Sequence, residues 1–500
     1  MIHSIDVLPV LFNSHLFLFG FLPLALLAVF TSGRSGLRGA LAALTVLSIG
    51  FYAWWDWHNL FLLVPSLLVN FTFGRLLTRD AQRRRGPASR ALLAAAIAFN
   101  LLLLGYFKYT DFALSTLSTL TFAPFALRHI VLPLGISFFT FEQIAYVVDS
   151  SKGHVRPYGF LEYCVFVTFF PHLIAGPIIQ HDELLAQMDA RICTPRAENL
   201  ALGFSLLAIG LFKKVALADS VAGHVGGVYD VSASAPVPTM AAAWLATVAY
   251  SVQLYFDFSG YSDMAIGLAR MFNLKLPANF DSPYRAHNII DFWRRWHMTL
   301  SRFLRNYLYI PLGGNRGSPT RRYLNLFITM VLGGLWHGAG WGFVFWGGLN
   351  GLYLVLNHLW RGFWGLPKDN APPKQRWRLE LGLTTTFILI MASRVFFRTN
   401  SLSGAGRVFA GLVGQGGLGL WVLRAEWASI ALLLVLIGWC RWAPNSQQWL
   451  AAKDPLLSPV AGAPKWQVAF TRPWALGLAA LTVISLLLLN RVSEFLYFQF

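Results

Sequence analysis

His337 lies inside YLNLFITMVLGGLWHGAGWGFVFW (323–346), a run long and apolar enough to enter a bilayer. An ionisable side chain at membrane depth costs free energy unless it faces protein or a water-filled cavity, so it marks a candidate functional group. Gly333, Gly334, Gly338 and Gly340 flank it and let backbone or a substrate approach closely. A neutral imidazole is a base poised near physiological pH, and burial lowers its pKa, which keeps it neutral. Such a base can take the proton of a hydroxyl, and glycine backbone N–H groups beside it are candidates for holding an oxyanion. By residue type and depth alone, a core histidine bonded to a backbone carbonyl is an equal alternative. About 40 residues upstream, DFWRRWHMTLSRFLR (291–305) carries a second histidine, His297.

The elements around these residues are helices in a membrane. Mean hydropathy is +0.53 and only 12% of residues are charged, about half of what a soluble domain carries. The sequence therefore predicts an all-α polytopic membrane protein, with roughly ten to thirteen apolar stretches that cross the bilayer or re-enter it. Two Pro/Gly-broken stretches, VLPLGISFFTF (131–141) and FFPHLIAGPIIQ (169–180), are the re-entrant candidates, because non-helical backbone at that depth must be buried in protein or line a cavity. The first apolar run, 9–31, lacks a basic segment before it and reads as a retained span.

The net charge of +18 fits cytoplasmic loops that collect Lys and Arg, not a nucleic-acid surface. Arg75, Arg79, Arg83, Arg84, Arg85 and Arg90 place loop 75–90 inside. Asp56 and His58 then fall outside, Arg34 and Arg38 inside, and the N-terminus with Asp6 outside. Residues 289–310 are expected to form one amphipathic helix in the cytoplasmic interface, with Phe292, Trp293, Trp296, Leu300, Phe303, Leu304 and Tyr307 on one stripe and Arg294, Arg295, Ser301, Arg302 and Arg305 opposite. Loop 364–378, with Pro367, is a basic connector. Cys164, Cys193 and Cys440 are scattered and suggest neither a disulfide framework nor a metal centre; no metal is predicted.

WRRWHMTLSRFLRNYLYIPLGGN (293–315), LGGLWHGAGW (332–341), QLYFDFSGYSDMAIGLA (253–269), LPANFDSPY (276–284), PLGISFFTFEQIAYVVD (133–149) and FFPHLIAGPI (169–178) together resemble the membrane-bound O-acyltransferase (MBOAT) family, in its bacterial alginate O-acetyltransferase branch. FYAWW (51–55), VFFRTNSLSGA (395–405) and FLYFQF (495–500) fit as well. The resemblance implies a helical bundle around a central tunnel, with His337 at the invariant family histidine and His297 at a second position that is Asn or His by branch. It implies acetyl transfer from a cytoplasmic donor, acetyl-CoA above all, with no tightly bound cofactor, toward an extracytoplasmic polysaccharide at the bacterial inner membrane. Alginate is the first expectation; cellulose, peptidoglycan and D-alanyl transfer to teichoic acid are alternatives, and a transporter with a histidine relay is the rival of another class. Expected partners are a periplasmic or membrane-anchored transferase with a serine nucleophile, the polysaccharide machinery and lipid.

On this reading the chain divides into N-terminal transmembrane helices (1–125), a catalytic core (126–360) and C-terminal transmembrane helices (361–500). His337 and His297 are the catalytic candidates. Arg294, Arg295, Arg302 and Arg305 are donor-side candidates, since guanidinium groups suit a phosphate-rich ligand. Asp257, Asp263, Trp336, His172 and Asn279 are tunnel or supporting candidates. Structural roles compete at each: Asp257 and Asp263 can pair a cation within an apolar span, and His172 can belong to a re-entrant turn.

Overall fold

The computed structural model describes residues 11–83, 86–365, 372–399, 401–450, 470–489 and 495–496. His3, Asp6, Arg84, Arg85, Pro367, Asn400 and the last four residues of FLYFQF lie outside them. Among the described residues the regular structure is helical, with no strand. Among the described residues, six helical stretches are long and apolar enough to cross a membrane: Leu16–Gly33, Leu37–Trp55, Trp57–Ala81, Pro87–Thr121, Ala197–Tyr229 and Arg376–Arg398. Trp427–Trp442 and Arg472–Leu488 are shorter apolar helices. The two helices beside His337 are not among the six; glycine, tryptophan and N-terminal arginines dilute their hydropathy.

The chain packs as two units. The first comprises 1–211, 261–277 and 475–494. Its core includes stacked and edge-on rings of Phe12, Phe17, Phe51, Phe170 and Tyr261. Two sets of its buried polar residues are hydrogen-bonded to one another, which offsets the cost of burying them. Asn70 and Asn100 exchange amide bonds at 3.2 and 2.6 Å, and Gln143 accepts from Tyr163 at 3.0 Å while donating to Ser66 at 3.0 Å. The two Pro/Gly-broken stretches do leave helical geometry. One is irregular until Gly135, whose φ of +70° precedes the helix Ile136–Lys152. The other forms a single turn, Phe170–Leu173, and continues without regular structure to His181–Leu185.

The second unit comprises 212–260, 278–474 and 495–500. Its centre is a hairpin of two helices, Pro319–His337 and Trp341–Phe363. Ser318 caps the first, accepting from Arg321 N–H, and Pro319 occupies a position where its missing N–H is not needed. The hairpin closes backbone against backbone. A Cβ on Gly334 would lie 2.3 Å from the Phe343 carbonyl oxygen, and one on Gly347 would lie 2.4 Å from that of Met330. Small residues thus set the interhelical distance, and that distance fixes where the turn, and His337 at its start, can be.

The expected single helix over 289–310 is broken. Ile289–Arg295 ends at an extended Trp296, His297 takes left-handed dihedrals (φ +43°, ψ +55°), and Met298–Leu304 begins anew. The freed backbone groups pair with the segment 279–281: Met298 N–H donates to Asn279 O and Asp281 N–H to Arg295 O, both at 2.9 Å. Periodicity places most of the apolar stripe correctly: Phe292, Trp296, Leu300, Phe303 and Leu304 are buried, while Trp293 and Tyr307 are only half-buried. It does not reveal the break, which rests on non-local partners.

Candidate active site

The break turns His297 away from a polar helix edge and buries it to 1% exposure. Asn279 Oδ1 accepts from the Thr299 hydroxyl at 2.9 Å and from its backbone N–H at 3.4 Å, and lies 3.1 Å from His297 Nδ1. A backbone N–H can only donate, so the amide oxygen faces this group. His297 therefore holds its proton on Nδ1, and Nε2 is the basic nitrogen. Burial pushes the imidazole down to about 3, so it is neutral at physiological pH. Phe258 meets the ring edge-on at 4.8 Å.

His337, 6% exposed, ends the first hairpin helix. Its ring is boxed by Trp336 at 5.0 Å, Trp346 at 5.2 Å and Phe397 at 5.3 Å, and the His297 ring centroid is 6.2 Å away. Gly338 belongs to this box, since a Cβ there would lie 2.0 Å from the Phe343 ring. A narrow cavity of ≈ 30 Å³ opens beside His337, lined also by Trp296, Trp346, Asn350, Arg394 and Phe397. That is room for a group of two or three heavy atoms.

Trp293 lines this cavity and also a wide cleft of ≈ 680 Å³. The cleft carries four arginines, Arg294, Arg302, Arg305 and Arg322, together with His358, which faces Arg322 at 3.1 Å. Arg295 is not in it. Its guanidinium turns to Asp291 at 3.0 Å and Asp281 at 3.6 Å and ties the helix break together.

The other candidates divide. Trp336 and Asn279 belong to the histidine pair. Asp257 is buried in an ion pair with Lys214 at 2.8 Å; Lys214 also reaches Asp219 at 2.9 Å, and Leu496 N–H donates to Asp257. Asp257 thus pairs a lysine and anchors the chain near its end, and it does not line the His337 cavity. His172 and Asp263 belong to the first unit, where His172 Nδ1 lies 3.1 Å from Glu142 Oε1 and Asp263 is buried. Sequence reasoning missed Asn350 and Arg394, and it did not single out Arg322 from the cationic region 285–322 that it assigned to the donor. The rule that singled out His337, an ionisable group within an apolar span, applies equally to Arg394 on Arg376–Arg398.

A model of the membrane-bound O-acyltransferase family matches residues 101–397, which hold every residue of this site. Over 85% of its length the chain is 40% identical to a peptidoglycan O-acetyltransferase of Helicobacter pylori, covering 84% of that protein. It is 38% identical over 91% of its length to a protein of Azotobacter vinelandii named "Probable alginate O-acetylase AlgI", covering 87% of it. A teichoic acid D-alanyltransferase of Streptococcus thermophilus is more distant, 28% identical over 53% of this chain and 68% of its own.

Proposed function

The chain belongs to the membrane-bound O-acyltransferase family and is a multi-pass membrane acyltransferase, and on that premise we propose that it moves acetyl groups from a cytoplasmic thioester, acetyl-CoA, to serve O-acetylation of an extracytoplasmic polysaccharide. The observation that carries this reading is the pairing of cavities across Trp293. The wide cleft with four arginines suits the phosphates and nucleotide of a large anionic carrier, and the narrow one beside His337 suits an acetyl group.

In this mechanism His337 takes the proton of the acceptor hydroxyl as its oxygen attacks the acetyl carbonyl carbon. The tetrahedral alkoxide collapses, the C–S bond breaks, and the proton passes to the departing thiolate. His297, neutral and locked by Asn279, orients the thioester. A protein partner with a serine hydroxyl is the proposed first acceptor, handing acetyl groups to the polymer outside the bacterial inner membrane. Alginate is the polymer we propose. Peptidoglycan is the reading that the Helicobacter relative's name favours, and cellulose shares the same hydroxyl chemistry. D-alanyl transfer is less well supported, its named relative aligning with about half of the chain.

The test uses purified full-length protein in detergent with acetyl-CoA radiolabelled in the acetyl group. Thioester cleavage that disappears in His337→Ala establishes the reading, and the absence of histidine-dependent cleavage, with and without an added serine-type partner, overturns it.

A further inference from the structure

Arg394 is the least explained charge beside His337. It is 3% exposed and lines the His337 cavity. Its guanidinium lies 4.5 Å from the Trp296 ring centroid and 5.4 Å from that of Tyr284. Nη1 donates to the Ser251 carbonyl oxygen at 3.3 Å and to the Tyr284 hydroxyl. Among the described residues, no carboxylate pairs with Arg394 and Nη2 bonds to nothing. Arg398, one turn on, shows the contrast, for it is matched by Asp230 at 2.5 Å. A buried cation without a counter-charge is costly. Aromatic faces and a single carbonyl offset part of that cost and orient the plane, which leaves one pair of N–H donors uncommitted beside the reacting base.

We infer that Arg394 is a catalytic residue whose Nη2 donates to the acyl carbonyl oxygen as that oxygen becomes an alkoxide. The inference rests on acyl transfer taking place in the His337 cavity. As the acceptor oxygen bonds to the carbonyl carbon, the carbonyl π pair moves onto the oxygen beside Arg394 and the hydroxyl proton moves to His337. On collapse the pair returns, the thiolate leaves, and it takes the proton from His337. A fixed cation in a water-poor cavity stabilises that transient negative charge far more than it stabilises the neutral thioester. Its effect therefore falls on kcat and not on KM.

Steady-state cleavage of acetyl-CoA by the purified full chain tests this, comparing wild type with Arg394→Gln, Arg394→Lys and Arg394→Ala. We expect Arg394→Gln to lower kcat by about 10²–10³, the range for loss of one oxyanion donor, with KM within about threefold. Arg394→Lys should retain an intermediate kcat, and methylguanidinium should restore part of the Arg394→Ala rate saturably. A kcat within about fivefold of wild type in a monodisperse Arg394→Gln overturns the inference. So does a loss that appears in KM alone. Should the glutamine and alanine proteins fail to fold, Arg394→Lys decides: unchanged kcat overturns the inference, and a kcat lowered at constant KM supports it. Wild-type cleavage with no dependence on His337 overturns the acyl-transfer reading, and this inference with it.

Discussion

The His297 and His337 rings stand 6.2 Å apart between centroids, with their planes inclined at 55°. At that separation the imidazoles do not hydrogen-bond to each other. One small group between them, a hydroxyl or a carbonyl, can touch both. The two residues are 40 positions apart in sequence (337 − 297 = 40), and a backbone break at one and a glycine-packed hairpin at the other bring them together.

Replacing His337 with alanine should lower thioester turnover by about 10²–10⁴, the span of a lost general base, while the protein remains in the membrane at close to normal amount. Turnover by purified protein, set against membrane abundance by immunoblot, checks this. Substantial acetylation by a well-inserted variant would contradict the assignment.

The two groups of arginines should separate under mutation. Reversing charge at Arg302 and Arg305, both on the cleft, should raise KM for acetyl-CoA by about 10- to 100-fold, as loss of charge-assisted hydrogen bonds does. Arg295→Gln should leave KM nearly unchanged and lower thermal stability, because its carboxylate partners hold the helix break. Kinetics and a melting curve on each variant distinguish the two effects.

His297 predicts a pH dependence of stability. Its folded-state pKa of about 3 lies below the ordinary imidazole value, so the unfolded chain binds the extra proton between roughly pH 6.5 and 3. Stability that is fully present above pH 6.5 is lost as pH falls, and at pH 5 the loss amounts to about 2 kcal/mol from this one group. Melting curves of wild type and His297→Asn between pH 7.5 and 4.5 should diverge, with the variant falling less steeply.

Glycines that look alike in sequence should respond differently. Gly334→Ala and Gly347→Ala place a methyl against opposing backbone and should destabilise by about 1–3 kcal/mol. Gly406, on the helix Leu402–Leu412, meets nothing within 4 Å, and Gly406→Ala should stabilise by up to about 1 kcal/mol through helix propensity. Detergent-based thermal unfolding measures both.

Much of this architecture was legible in the chain itself. A low content of charge gave a helical membrane protein, and one histidine inside LWHGAGW marked the centre of the site. The distinction among arginines was not legible, because Arg294 and Arg295 are adjacent and only tertiary pairing with Asp281 and Asp291 separates them. Nor was the break at His297. Hydrophobic periodicity reports which face is buried and is blind to a left-handed residue whose support comes from Asn279, 18 positions earlier. Asp257 carried a strong local signal, a carboxylate in an apolar run, and its use as a lysine partner depended on Lys214 from another helix.

The left-handed backbone at His297 also bears on how this position can evolve. Few side chains tolerate positive φ; glycine does so freely, and asparagine, aspartate and histidine are the common exceptions. Histidine and asparagine are two members of that set. Both are admitted by the same dihedral constraint, and both can hydrogen-bond to a neighbouring amide. An exchange between them would keep the kink, so the side chain at this position can change while the backbone that frames the site does not.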